Sequence, residues 1–464
     1  MEFSSLIFVY AFLPLTVIFS FFDKSAEYKN LILIISSLIF FTWGRPIIIV
    51  LLFVTAVMDY VFGLGAGSKK KFIKNASLAL DFLMNTATFI VFSWNHLFRS
   101  DGRLALTIWN GFEKFSYSDI IIPLGIGFYT LRGMSYVFDV YHKRIEAEKN
   151  PFCILTYMMS YHFMMVGPVV RYGDIKNEIR NRSVNSKKLN DGITRFIFGL
   201  GKAVVIASAF GKLMTAGLNF NDLTISGAWL GMLGFVGYIY YLFDGFTDMA
   251  LGLGLMNGFN YPENVLPLSC KNGVTGIATG FNKTLIDFFK MNITDQAKKR
   301  KWLYLISIIF SACCIGLWYG LKKGAIAGAL FFAVFIILEK LFLTKCLSKF
   351  SILRMIYTVI ISLAGVSMFY FESFSKGKTW LKACLGRGVT SFANDELKSV
   401  VLSNWIMILI GILIALPAFK NLIKKLKNKI SKKKENGYGI VRITQTVFTL
   451  LVLTMYTVVA YNLR

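Results

Sequence analysis

Histidine is scarce in this chain, with three among 464 residues, at His96, His142 and His162. Acidic side chains are few as well: 25 Asp and Glu stand against 51 Lys and Arg, and charged residues make up 16% of the total. An average soluble domain carries roughly 25%. With 55% hydrophobic residues, a water-soluble fold would lack the polar groups to cover its surface. The six cysteines, Cys153, Cys270, Cys313, Cys314, Cys346 and Cys384, form no C-x-x-C pair and no His/Cys ligand spacing. They support neither a disulfide framework nor a zinc site. Five of the six lie in or beside apolar runs and read as small lipid- or core-facing residues. No phosphate-binding G-x-x-x-x-G-K-[ST] loop and no G-x-S-x-G elbow is present.

Long apolar runs fill the chain instead. They lie near 6–22, 30–43, 46–64, 77–94, 120–140, 152–170, 193–215, 226–246, 302–321, 325–343, 354–371, 400–418 and 441–461. A spanning helix needs about 20 mostly apolar residues, so these runs predict about ten to thirteen embedded segments. The expected fold is an all-α polytopic membrane helix bundle over residues 1–464, with no soluble domain. The first run lacks a basic n-region and an A-x-A cleavage site, so it reads as a retained helix. The net charge of +26 sits in short loops between runs. That pattern is the positive-inside rule of membrane topology rather than a nucleic-acid surface. The densest group, Lys424, Lys425, Lys427, Lys429, Lys432, Lys433 and Lys434, is expected at the cytoplasmic face beside anionic headgroups.

One stretch is too polar for a simple span. Phe243 to Phe289 holds Asp244, Asp248, Asn257, Asn260, Glu263, Asn264, Lys271, Asn272, Asn282 and Asp287, with glycines throughout. Irregular polar backbone at membrane depth must be buried in protein or line a wet cavity. Intramembrane ionisable residues mark functional sites. The alternative is a set of short amphipathic helices in the headgroup layer. Gly252-Leu253-Gly254 follows no strand, and reads as small-residue helix packing rather than a nucleotide loop. His96 and His142 fall at loop edges, whereas His162 lies inside an apolar run.

Several motifs occur in order along nearly the whole chain. They are Pro123-Leu124-Gly125-Ile126-Gly127-Phe128-Tyr129-Thr130 with Ser135-Tyr136-Val137-Phe138-Asp139-Val140-Tyr141, then Val166-Gly167-Pro168-Val169-Val170-Arg171-Tyr172-Gly173, then Phe196-Ile197-Phe198-Gly199-Leu200-Gly201-Lys202. Gly245-Phe246-Thr247-Asp248-Met249-Ala250 with Gly258-Phe259-Asn260-Tyr261-Pro262-Glu263-Asn264 follows, and then Gly316-Leu317-Trp318-Tyr319-Gly320. Together they resemble the membrane-bound O-acyltransferase family, in its bacterial branch of alginate O-acetylation proteins. The resemblance implies a single domain with re-entrant or interfacial helices around a central tunnel. It implies no bound cofactor, and an acyl group taken from acetyl-CoA or another cytoplasmic thioester. The acceptor it implies is a hydroxyl across the bacterial cytoplasmic membrane, on an exported glycan or on a secreted or membrane-anchored acyltransferase- or esterase-like partner.

The chemistry of such a family needs a base for the hydroxyl proton and a donor for the oxyanion. Two histidines are expected, one in Gly-Leu-Trp-His-Gly and one in Trp-Arg-Arg-Trp-His. Here Tyr319 occupies the first position and Asn282 the second, and Ala278, Thr279, Gly280 and Phe281 replace the preceding arginines and tryptophans. The family's Phe-Asp-Phe-Ser-Gly aspartate is Leu242, its Pro-Gln pair is His162-Phe163, and an arginine is lost near Tyr370. An unperturbed tyrosine, with a pKa of about 10, is ionised in only about one molecule in 10³ at pH 7. Asparagine does not titrate.

Three readings follow. The first is a catalytically degenerate member acting as accessory or scaffold in O-acylation, in particular O-acetylation, of an exported polysaccharide. The second is an active transferase with Tyr319 as acyl carrier or oxyanion donor and His162 or Asp248 as base. The third is a transmembrane conduit lined by Asp244, Asp248 and Glu263. Trp318 and Asn264 complete the residues expected along a substrate path.

Overall fold

A computed structural model describes residues 3–22, 25–43, 47–93, 125–163, 167–320, 323–347, 349–371, 374–389, 391–419, 421–422, 425 and 437–462. His96, Pro123, Leu124, Val166 and the lysine group after residue 419, Lys425 apart, lie outside the described residues. All regular elements among those described are helices. The chain forms two compact units, Met1–Leu189 with Leu253–Pro262, and Asn190–Gly252 with Glu263–Arg464.

The first unit contains α1 (Leu13–Ser20), α2 (Ala26–Thr42), α3 (Ile47–Ala66), α4 (Lys71–Ser93), α5 (Ile126–Tyr141), α6 (Pro151–Met159) and α7 (Tyr172–Asn181). Capping chemistry sets several of their starts. The Ser25 hydroxyl accepts the Tyr28 N–H ahead of α2. Asn150 accepts the Phe152 N–H ahead of α6, with Pro151 in the first turn. Gly125 opens α5 at φ 95°, a left-handed conformation that favours glycine. Within α5, Arg132 is fully buried and donates to the carbonyls of Tyr157 and Met158 at 3.2 and 3.0 Å. It thereby satisfies acceptors that the last turn of α6 leaves open. Arg171 and Arg144 both pair with Asp139, at 2.8 and 3.0 Å, which ties two of the sequence motifs together. Beside them, Glu148 accepts from Tyr172 and Arg180. Burial pushes the Glu148 carboxyl up, but hydrogen bonds from Tyr172, the Asn150 N–H and Arg180 outweigh it and hold the group below the usual range.

The second unit holds most of α8 (Ser186–Gly217) and α9 (Ile225–Met256), followed by α10 (Gly273–Gly280), α11 (Lys283–Phe289), α12 (Lys301–Tyr319), α13 (Lys323–Leu347), α14 (Ser351–Tyr370), α15 (Phe374–Cys384), α16 (Asp395–Ala415) and α17 (Gly437–Asn462). Helices α8 and α9 run antiparallel, and glycines set their separation. A Cβ on Gly245 would lie 2.7 Å from the Gly199 carbonyl oxygen, and one on Gly252 would lie 2.7 Å from that of Gly192. Gly217 meets Gly231 further along in the same way. The obstructing atoms are backbone, so larger residues here would force the helices apart. The Gly252 pattern is thus helix packing.

Among the described residues, eight helices are long and apolar enough to cross a membrane: α3, α8, α9, α12, α13, α14 and α16, with residues Ile443–Tyr461 of α17. The chain is a multi-pass integral membrane protein. The other five expected runs fall on shorter or more polar helices. The run 6–22 becomes a short apolar helix, Phe8–Ser20. Helices α2, α5 and α6 have 17, 16 and 9 residues, and α4 carries Lys71, Lys74, Asp81 and Asn85. The polar stretch is also more regular than expected. Phe243 to Met256 simply continues α9, and irregular backbone with short helices begins only at Asn257.

Candidate functional site

The Gly-Leu-Trp-Tyr-Gly motif forms the end of α12. Gly316 lets α13 approach, since a Cβ there would lie 2.8 Å from the Ile326 Cα. Gly320 stops the helix at φ 136°, ψ 163°, a region open essentially to glycine alone. Tyr319 is therefore the last helical residue, 40% exposed, edge-on to Trp318 and Phe369. Asn282 stands just ahead of α11 at φ 52°, ψ 50°. Asparagine is among the side chains that tolerate this left-handed region. It is fully buried, and its Nδ2 donates to the Tyr319 hydroxyl at 3.2 Å. Its Oδ1 has no hydrogen-bond partner among the described residues. The two positions expected to hold histidines are thus in direct contact.

Asn264 fixes Asn282 from the other side. Its backbone carbonyl accepts the Lys283 N–H at 2.8 Å. Its Oδ1 accepts the Thr284 N–H at 3.0 Å and the Thr284 hydroxyl at 2.6 Å. Asn282 makes no side-chain cap of its own, so Asn264 supplies the acceptor that the first turn of α11 requires. The Leu266 N–H continues this pairing to the Gly280 carbonyl at 2.9 Å. Replacing Asn264 with alanine is expected to cost about 1–3 kcal/mol, the penalty for stranding buried donors. Asn264→Asp, which keeps the acceptor, should cost less. Thermal unfolding of both variants in detergent checks the order.

Glu263, next to Asn264, joins a charged cluster between α8 and α9. Arg195 donates from Nε to Asp248 at 2.8 Å and from its two terminal nitrogens to Glu263 at 2.9 and 2.6 Å. Lys202 pairs with Asp244 at 2.7 Å and also with Asp248. Two cations thus face three carboxylates, on the helices that the glycines bring close. Asp248 is gripped by both cations, with its carboxylate oxygens committed to them. Lys202 falls in a π-helical turn, Gly201–Ile206, of the kind frequent at functional sites. Neither Arg195 nor Lys202 was expected from the sequence. The available signal was their spacing of seven on one helix, which puts two cations on the same face of an apolar segment.

His162 belongs to the first unit, whereas Tyr319, Asn282, Trp318, Asn264, Glu263, Asp244 and Asp248 belong to the second. His162 is fully buried, with Nδ1 3.3 Å from the Tyr261 hydroxyl and Tyr161, Phe163 and Phe259 around its ring. Its Nε2 has no partner among the described residues. His142 closes α5, its ring nitrogen 2.9 Å from the Phe138 carbonyl.

No protein-family model matches the chain. Individual proteins do. Over 266 residues it is 32% identical to the probable alginate O-acetylase AlgI of Pseudomonas syringae pv. tomato, covering 57% of this chain and 51% of that protein. Over 377 residues it is 27% identical to the probable alginate O-acetylase AlgI of Pseudomonas fluorescens, covering 80% and 73%. It is 25% identical over 295 residues to the peptidoglycan O-acetyltransferase of Helicobacter pylori, covering 56% and 55%. At 32% identity the match spans about half the length of the relative. The motifs and the helical membrane architecture agree with this similarity to alginate O-acetylases and a peptidoglycan O-acetyltransferase.

Proposed function

We propose that the protein acts in the O-acylation, specifically O-acetylation, of an exported polysaccharide, as an accessory or scaffold subunit rather than as the transferase itself. The alginate and peptidoglycan named for its relatives supply the substrate class. The contact between Asn282 and Tyr319 carries the accessory reading. Where the resemblance calls for two histidines, the chain presents an amide that does not titrate and a phenol whose ordinary pKa is about 10. Neither takes a hydroxyl proton efficiently near neutral pH. The cluster at Asp248 does not replace them, since a carboxylate between two cations is a poor base. The scaffold reading assigns the acyl transfer to a secreted or membrane-anchored acyltransferase- or esterase-like partner, with acetyl-CoA or another cytoplasmic thioester as donor. The pair at Asn282 and Tyr319 then serves to join α11 to the end of α12.

Complementation of a deletion strain tests this. Tyr319→Phe removes the hydroxyl and keeps the ring. It is expected to restore glycan acetylation, measured as ester-linked acetate, to the wild-type level. Loss of acetylation with normal protein abundance would instead favour an active transferase using Tyr319.

A further inference from the structure

At the far end of α10 from Asn282, about 12 Å along the helix axis, lies a cavity of about 210 Å³. Lys271, Lys340 and Arg354 line it with Asn272, Thr344 and one acid, Glu339. That acid is already committed. Glu339 is buried and accepts the Val274 and Thr275 N–H groups at 2.7 and 2.8 Å, together with the Thr275 hydroxyl. The start of α10 is thereby occupied by the protein's own carboxylate, and the cationic wall is what remains. Lys340 rests over the Tyr304 ring, 4.6 Å from its centre. Lys271 and Arg354 form no ion pair with a carboxylate among the described residues. Three cations against one engaged acid suit a phosphate-class anion.

The position of the cavity selects the source of that anion. It lies where α13 ends and α14 begins. As α12, α13 and α14 cross in alternation, this turn shares a membrane face with the start of α12. That face carries Lys298, Lys299, Arg300, Lys301, Lys345 and Lys349, and the positive-inside rule makes it cytoplasmic. Exposed Leu341, Phe342, Ile352 and Leu353 adjoin the lining residues Lys340 and Arg354 in sequence. A soluble phosphate has no use for such an apolar rim, whereas the chains of a lipid would lie along it. Basic pockets between membrane helices on the cytoplasmic side are of the kind that hold anionic headgroups. We infer that this cavity binds the phosphate headgroup of an anionic phospholipid of the cytoplasmic leaflet.

Native mass spectrometry of the full chain, released from nanodiscs of mixed phosphatidylglycerol and phosphatidylcholine, tests the inference. The wild type is expected to retain phosphatidylglycerol in preference to phosphatidylcholine. Each basic residue removed should lower retention about fivefold, so Lys271→Gln/Arg354→Gln falls furthest. Lys299→Gln/Lys301→Gln removes the same charge from the same face without lining the cavity, and should retain lipid like the wild type. Should the double cavity variant not fold, the exposed Lys271→Gln alone carries the fivefold expectation. Equal retention by cavity and control variants overturns the inference. So does displacement of the lipid by millimolar inorganic pyrophosphate, which would assign the cavity to a soluble phosphate.

Discussion

Purified wild-type protein, given acetyl-CoA and a glycan acceptor, is expected to transfer acetyl groups at the background rate, and Tyr319→His/Asn282→His to exceed it by about 10²-fold. The size of the effect follows from what a positioned base supplies, about 10²–10⁴ in rate. The lower figure applies because only the histidines return. Ala278, Thr279, Gly280 and Phe281 still stand where arginine and tryptophan neighbours are expected. Geometry favours the substitution. The two side chains touch at 3.2 Å, so paired imidazoles would share one site. Asn282 is left-handed, and histidine is among the residues enriched in that conformation. Release of labelled acetate from the glycan by alkali measures transfer. Wild-type turnover well above background, abolished by Tyr319→Phe, would sink the accessory reading.

Removing the Asp248 carboxylate is expected to have the largest effect on stability. Asp248→Ala should cost about 3 kcal/mol, because it takes one carboxylate partner from each of two cations that the fold has largely taken out of water. The side chains of Lys202 and Arg195 are 15% and 27% exposed, and that of Asp248 is 13%. Asp244 still pairs with Lys202 and Glu263 with Arg195, which bounds the loss. Glu263→Ala should cost under about 1 kcal/mol, since its side chain is 55% exposed and an exposed pair contributes little. Asp248→Leu combined with Asp244→Leu and Lys202→Met should recover much of the loss, because it removes the buried ion pairs together and apolar residues of similar volume incur no desolvation penalty. Unfolding in detergent, followed by helical circular dichroism, ranks the three variants. Similar costs for Asp248→Ala and Glu263→Ala would show that burial does not govern the cluster.

Much of the architecture was legible before any coordinates. The runs at 302–321 and 354–371 match α12 and α14 closely, because lipid imposes one composition on every segment that crosses it. Reading failed where apolar and polar demands mix. Phe243 to Met256 looked irregular because Asp244, Asp248 and three glycines interrupt it, yet α9 continues through them. Its charges are neutralised by Arg195 and Lys202 on α8, and Gly245 and Gly252 are contact points for α8 rather than breaks. No local pattern announces a partner 42 or 53 residues away.

By itself the sequence determined that this is an all-helical membrane protein, that its motifs resemble an acyltransferase family, and that Tyr319 and Asn282 stand where that resemblance expects histidines. Hydropathy and motif identity are properties of the chain read in order, and they survive without coordinates. Only the tertiary structure decided that Tyr319 and Asn282 touch, that Asn264 holds the turn beside them, and that Asp248 is clamped between cations. Those facts depend on how closely α8 approaches α9 and where α12 stops. Glycines at 199, 245 and 320 set both, through backbone contacts and a backbone conformation that other residues would obstruct or resist.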